Sequence, residues 1–380
     1  MFHFVLNTNI LSKLALRGRI ILATEEAGTN VSDISLDRYL HPQSTITELD
    51  EVKPLEEIPT VDIGSLLENP TKANLETAAA GFRQAHEQIG FLSIVNHGVS
   101  WGTINSAFDA IKEFFSLSLE EKMKIKFDKI SSGYYPPNST VYVSSPVNNN
   151  TKGDLNENLR LVKERSPEHP AIKSGMRFHG PNQWPENIEN FKPRMIAYYD
   201  SMEKLGKSLL PVYARALDLP KDWFDNKFDD PMWSTRNSFY PAGGGKNGAE
   251  ENQFGIAPHC DHGFITMLPV SKEPGLQVLA RTGNWINVEI PDKAILVNAG
   301  EFMHRWTNGR FFATPHRVLP PTNDRYSLGF FFNPTRDVRC DPMETCCNDD
   351  NPPKYDGMSM VDYLSWYVDR NYLKSHGGQQ

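Results

Sequence analysis

With 380 residues, 39% hydrophobic and 23% charged, the chain is long enough for one large domain or two ordinary ones and has a globular rather than a disordered composition. Its 47 acidic against 39 basic residues give a formal charge of −8 and no basic stripe, which sets nucleic acid aside and leaves a small molecule as the expected partner. No apolar run reaches the ~20 residues that would span a bilayer, and Cys260, Cys340, Cys346 and Cys347 make neither a disulfide framework nor a CxxC metal knuckle.

In chain order, residues 1–24 carry Lys13, Arg17 and Arg19 and no acid before Glu25. That pattern fits an organelle transit peptide as well as an extension without such a role. Localisation is expected to be cytoplasmic, or an organelle if this leader directs it there. Residues 25–55 are polar and aperiodic, so 1–55 reads as an N-terminal extension. Residues 56–190 form a first region of helices and strands. It opens with "IPTVDIGSLL" (58–67), a short apolar run with a turn. An Ala-rich helix is expected over 71–89, stopped by Gly90. "FLSIVNHGVS" follows as a strand, then an amphipathic helix over 101–125. Residues 131–153, rich in Ser, Asn, Pro and Tyr, read as a long irregular loop of the kind that carries function.

Residues 191–335 form the second region, a long helix (191–217) followed by short alternating runs between Gly, Pro and Asn clusters from about 234 to 334. Residues 336–380 are a tail closed by a helix. Helices followed by a strand-rich block imply an α+β chain with a sandwich or barrel core.

The chemistry concentrates in "PHCDHGFITML" (258–268). If this is a strand, alternation puts His259 and Asp261 on one face and Cys260 and His262 on the other. Taken alone, HxD fits a hydrogen-bonded pair in a loop better than a metal site. "FFATPHRVLPP" supplies a third ligand, His316, and two histidines with one carboxylate are the facial set of non-haem Fe(II) oxygenases. Downstream, "DRYSLGFFF" places Arg325 and Ser327 on one strand face, a ready clamp for a carboxylate. His97 is read as a turn residue, and His304 as a pocket or packing residue.

With these motifs in order, the chain resembles the Fe(II)- and 2-oxoglutarate-dependent dioxygenases, in the branch that includes plant flavonoid and hormone oxygenases and isopenicillin N synthase. The likeness spans residues 58–335 and rests on "IPTVDI", "GFLSIVNHGV", "PHCDHGFITML", "LVNAGEFMHRWTNGRFFATPHRV" and "DRYSLGFFFNP". It implies a double-stranded β-helix, or jelly roll, with flanking helices. It implies that His259, Asp261 and His316 hold Fe(II), and that Arg325, Ser327 and Tyr240 bind 2-oxoglutarate. The family often has Asn two residues before that tyrosine; here Ser238 stands there and Asn237 one position earlier, and alternation favours Ser238. O2 is the co-substrate, ascorbate a supporting reductant, and a C–H bond of a small metabolite or natural product is hydroxylated, desaturated or closed into a ring, with release of succinate and CO2. The alternative is an iron oxidase or cyclase like isopenicillin N synthase, which uses no 2-oxoglutarate. A zinc hydrolase would leave the Arg325–Ser327 clamp unexplained. A monomer or weak oligomer is expected.

For the substrate, the irregular loop offers Tyr134, Tyr135 and Tyr142, of which Tyr135 is preferred, and Phe331 beside the clamp is a further candidate contact. Asn156, Asn158 and Arg160 share one strand face, which is either solvated or turned inward; turned inward, it would suit a polar, carboxylate-bearing substrate. Trp366 and Tyr367 are candidates for a lid or for core packing.

Overall fold

A computed structural model describes residues 55–128, 132–269 and 271–371. The leader and most of the polar extension lie outside the described residues. Twelve strands form among those described: β1 Thr60–Asp62, β2 Phe91–Val95, β3 Gly133–Tyr135, β4 Glu157–Val162, β5 Ser234–Tyr240, β6 Ile256–His259, β7 Ile265–Pro269, β8 Leu276–Leu279, β9 Trp285–Asn287, β10 Ile295–Ala299, β11 His316–Val318 and β12 Arg325–Phe332. They build an eight-stranded sheet in the order β1-β2-β10-β7-β12-β5-β4-β3 and a four-stranded sheet in the order β6-β11-β8-β9. All pairings between named strands are antiparallel except β1 with β2. The two sheets face each other across one cavity lined from both sides, the jelly roll expected from the sequence.

The helices are α1 Gly64–Glu68, α2 Lys72–Gln88, α3 Trp101–Ser116, α4 Leu119–Met123, α5 Pro170–Lys173, α6 Phe191–Ala216, α7 Glu301–Trp306 and α8 Met360–Asn371. The single helix expected over 101–125 is two, α3 and α4, because Leu117 is extended and Ser118 starts a new helix by accepting from the Glu121 amide. α2 is capped by Thr71, whose side chain accepts from the Asn74 amide at 3.2 Å. It stops before Gly90, which has φ +74; a Cβ there would clash with the Phe312 carbonyl oxygen. In α6, Phe191, Met195, Tyr198, Met202, Leu205 and Leu209 recur at helical spacing and are buried. This stripe packs against the outer face of the large sheet, where the Tyr198 hydroxyl donates to the Leu328 carbonyl at 3.1 Å. β12, which carries Arg325 and Ser327, is thereby held from behind.

Between α2 and α6, His86 is fully buried, with Nε2 2.9 Å from the Tyr213 hydroxyl and its ring stacked on Phe311. Burial pushes its pKa from 6.5 down to about 3. The folded value lies below the unfolded one, so between those limits the unfolded chain binds a proton that the folded chain refuses. Stability is therefore full above about 6.5 and falls on acidification. Replacing His86 by Leu is expected to shrink the stability lost between pH 7 and pH 5 by roughly 2 kcal/mol, measured by urea unfolding at both values. An unchanged loss would show that His86 is not the residue refusing the proton.

Candidate active site

His259 ends β6 and His316 begins β11, and the two strands pair so that these residues lie directly opposite each other. Asp261 follows two residues after His259. Its Oδ1 is 3.8 Å from His259 Nε2 and 3.7 Å from His316 Nε2. The ligand atoms of all three lie within 4.8 Å of one another, and all three residues are buried. Each imidazole is oriented by its own strand: Nδ1 of His259 donates to the Ala257 carbonyl at 2.8 Å, and Nδ1 of His316 to the Thr314 carbonyl at 3.1 Å. A carbonyl only accepts, so Nδ1 carries the proton and Nε2 presents its lone pair to the shared space. Burial, reinforced by His316, drives the His259 pKa down to about 3. Burial alone would raise Asp261, but the two histidines and a hydrogen bond from Asn298 hold it below its ordinary value. A neutral imidazole beside an ionised carboxylate is the protonation state a divalent cation needs.

The Asn298 amide donates to Asp261 Oδ2 at 2.8 Å, leaving Oδ1 free toward the histidines. Asn298→Leu removes this bond without adding a charge. It is expected to weaken metal binding by roughly 10–100-fold, the usual cost of losing an outer-shell partner. Mn(II) titration followed by electron paramagnetic resonance measures it; unchanged affinity would mean that Asp261 needs no such support.

The second part of the site lies on β12 and its neighbours. Arg325 pairs opposite Tyr240, and Ser327 opposite Ser238, which in turn lies opposite Asn158 on β4. All five line the cavity. Arg325 is 4% exposed, yet its Nη1 is buried without a hydrogen-bond partner among the described residues. Nε donates to the Glu273 carbonyl at 3.3 Å, and the guanidinium lies 4.9 Å from the Tyr240 ring centroid. Burial pulls this arginine below its ordinary pKa without neutralising it. A buried guanidinium with an unused donor calls for an anion. The departure at Ser238 resolves as alternation requires: Ser238 faces the cavity, while Asn237 faces outward and donates to the Leu159 carbonyl and the Tyr199 hydroxyl.

Other expected contacts divide. Asn158, Arg160 and Phe331 line the cavity, so this face of β4 is turned inward rather than solvated. Asn156 does not line it: its amide donates to the Gly255 carbonyl at 2.6 Å and its oxygen accepts from Arg236 at 3.1 Å. Tyr135 does not reach the cavity either. It sits on β3, beyond β4 at the sheet edge, with its ring stacked on Phe127. Tyr142 takes that place, lying flat against His259 with ring centroids 4.3 Å apart. His262 corrects the alternation argument. β6 ends at His259, so the chain turns after it, and His262 lines the same cavity, stacked on Phe331. Cys260 is a packed neighbour that donates to the Ala313 carbonyl. His97 is a turn residue, accepting from the Val99 amide. His304 is packed between the Phe311 carbonyl and the Tyr355 hydroxyl. On α8, Tyr367 lines the cavity and touches His262, whereas Trp366 packs on Tyr363. Asn371 ties α8 to the irregular loop by accepting from the Ser144 amide at 3.1 Å and hydroxyl at 3.0 Å.

Sequence reasoning did not single out Arg236 or Asn298, and it turned His262 away from the cavity that it lines. Arg236 was within reach, since the alternation that selects Ser238 and Tyr240 selects residue 236 as well. Asn298 carries no local signal.

Residues 58–187 match the family model described as non-haem dioxygenase in morphine synthesis N-terminal, and residues 234–334 match that of the 2OG-Fe(II) oxygenase superfamily. The 2-oxoglutarate-Fe(II) type oxidoreductase hxnY of Emericella nidulans is 32% identical over 76% of this chain and 83% of its own. Kihadalactone A synthase LFS of Citrus sinensis is 31% identical over 81% of this chain and 92% of its own. Among solved structures, a putative 2OG-Fe(II) oxygenase family protein from Caulobacter crescentus superposes with a TM-score of 0.71 at 25% identity, covering 83% of this chain and 99% of that one. A full-length Neurospora crassa protein, solved in complex with alpha-KG and 5-formyluracil, shares the fold with a TM-score of 0.70 at 24% identity, covering 84% of this chain and 98% of that one.

Proposed function

The chain belongs to the 2OG-Fe(II) oxygenase superfamily, and from that premise we propose that its cavity oxidises a C–H bond of a small metabolite or natural product at a metal held by His259, Asp261 and His316. The enzyme is an Fe(II)- and 2-oxoglutarate-dependent dioxygenase that uses O2. The residues suit these groups: two Nε2 lone pairs and one carboxylate oxygen converge on one space, and the buried Arg325 Nη1 awaits an anion in the same cavity. That unused donor is the observation that carries the reading, because a hydrolase or a plain metal-binding scaffold has no need of it. When bound, Fe(II), 2-oxoglutarate and O2 supply the oxidant, and 2-oxoglutarate leaves as succinate and CO2.

The chain's own part is positional. Arg325, with Ser327, Ser238 and Tyr240 around it, would hold the far carboxylate of 2-oxoglutarate. Phe91, Leu276, Leu296 and Val318 wall the cavity with apolar surface and exclude water. Asn298 keeps one oxygen of Asp261 aimed at the metal. Relatives named for clavatol, kihadalactone A and azadirone support a natural-product substrate and hydroxylation, desaturation or ring closure as the outcome. Ascorbate is proposed as a supporting reductant. Among the described residues no helix is long and apolar enough to cross a membrane. Oxygen uptake and succinate, measured with Fe(II) in the presence and absence of 2-oxoglutarate, test the reading. Succinate formed only with 2-oxoglutarate supports it. Oxygen consumption without 2-oxoglutarate would favour the isopenicillin N synthase-like alternative, which these relatives do not support.

A further inference from the structure

Two steps along the strands from the Ser327–Ser238–Asn158 row lies a row of different character. Gly329 on β12 is opposite Arg236 on β5, and Arg236 is opposite Arg160 on β4. Both arginines are buried and both line the cavity. Like charges directly opposite on neighbouring strands destabilise a sheet unless something compensates them. Arg236 has partners: its guanidinium donates to Asn156 and to the Tyr142 hydroxyl, and lies 3.8 Å from Asp154. Arg160 has far less. Among the described residues its one hydrogen bond runs 3.5 Å from Nη2 to Ser234 Oγ, and no described carboxylate pairs with it. A guanidinium has five N–H donors, and no other hydrogen bond is described for those on Arg160, whose side chain lines the cavity. Gly329 sets no side chain in front of the pair, and His262, whose Nδ1 lacks a partner among the described residues, lies in the same cavity. Asp154 is the carboxylate beside Arg236, and burial pushes its pKa up to about 7, so it does not neutralise the two guanidinium groups and the row is left short of negative charge.

We propose that the substrate is a carboxylic acid whose carboxylate is held by Arg160, with Arg236 beside it. This rests on the oxygenase reading of the cavity and adds the substrate class. Arg325 and Gly329 are four residues apart on one strand, roughly 13 Å at the usual rise. The two anion sites are therefore distinct, one for 2-oxoglutarate and one for the substrate. The Arg236 row also touches the metal triad through a single ring, since Tyr142 bonds Arg236 and stacks on His259. An acid anchored at Arg160 lays its carbon skeleton along Phe331 and Tyr142 toward that triad. The fork of Arg160, largely uncommitted to protein groups, matches the planar geometry of a carboxylate.

The test uses fluorine-labelled aliphatic and aromatic monocarboxylates, each with its primary amide, observed by 19F NMR on the full chain loaded with Zn(II) and saturating 2-oxoglutarate. In the wild type, an acid is expected to bind at least tenfold more tightly than its amide. Arg160→Gln is expected to lose that preference and Arg160→Lys to recover part of it. The comparison of acid with amide in the wild type decides the matter even if Arg160→Gln fails to fold. Equal binding of acid and amide, no binding of any acid, or full acid preference in a folded Arg160→Gln overturns the proposal. Succinate formation by the wild type is followed in parallel. Acid preference without succinate would refute the oxygenase reading and leave the anion site standing; succinate without acid preference would do the reverse.

Discussion

Arg325→Gln is expected to weaken 2-oxoglutarate binding by roughly 30-fold to several thousand-fold, the equivalent of about 2–5 kcal/mol for truncating one partner of a buried charge pair. The magnitude follows from where the residue sits. Arg325 is 4% exposed, stacked over Tyr240, and has an Nη1 that no described protein group satisfies. Glutamine fills part of the volume but has neither the charge nor the two-pronged fork. Arg325→Lys keeps the charge and loses the fork, so its affinity should fall between the two. Anaerobic calorimetric titration of 2-oxoglutarate into the Mn(II)-loaded protein measures all three. Wild-type affinity in Arg325→Gln would remove this residue from the binding site.

His316→Ala is the second large effect. The imidazole is one of the three ligands that come together among the described residues, and two ligands cannot hold a facial site. The loss of metal affinity should exceed the roughly 10–100-fold expected for an outer-shell residue, so His316→Ala should bind metal more weakly than Asn298→Leu. Succinate formation should fall with it. The same Mn(II) titration, run side by side on both variants, gives the order. If Asn298→Leu were the weaker binder, His316 would not be a ligand.

Much of this site was legible because strand chemistry is periodic. Period-two alternation put Arg325 with Ser327 and chose Ser238 over Asn237, and both hold because β12 and β5 are regular, paired strands. The argument failed where the strand did. β6 ends at His259, and one residue past Asp261 the alternation no longer predicts which way His262 points. Tyr135 was misplaced for another reason: residues 131–153 have no periodicity, so the choice among their tyrosines depends on tertiary packing. β3 carries Tyr135 to the sheet edge, and the following loop brings Tyr142 over His259. Asn298 was invisible because an outer-shell hydrogen bond between β10 and the turn after β6 leaves no pattern in either segment. The jelly roll itself followed from the order of motifs, whereas the break between α3 and α4 turned on the cap at Ser118.

The most direct test is an anaerobic crystal structure of the full chain soaked with Mn(II) and 2-oxoglutarate. The account predicts an anomalous peak bonded to His259 Nε2, Asp261 Oδ1 and His316 Nε2, with the far carboxylate of 2-oxoglutarate on Arg325 and Ser327 and Arg160 left free for a second acid. Metal bound elsewhere, or 2-oxoglutarate seated with its carboxylate on Arg160, would contradict it.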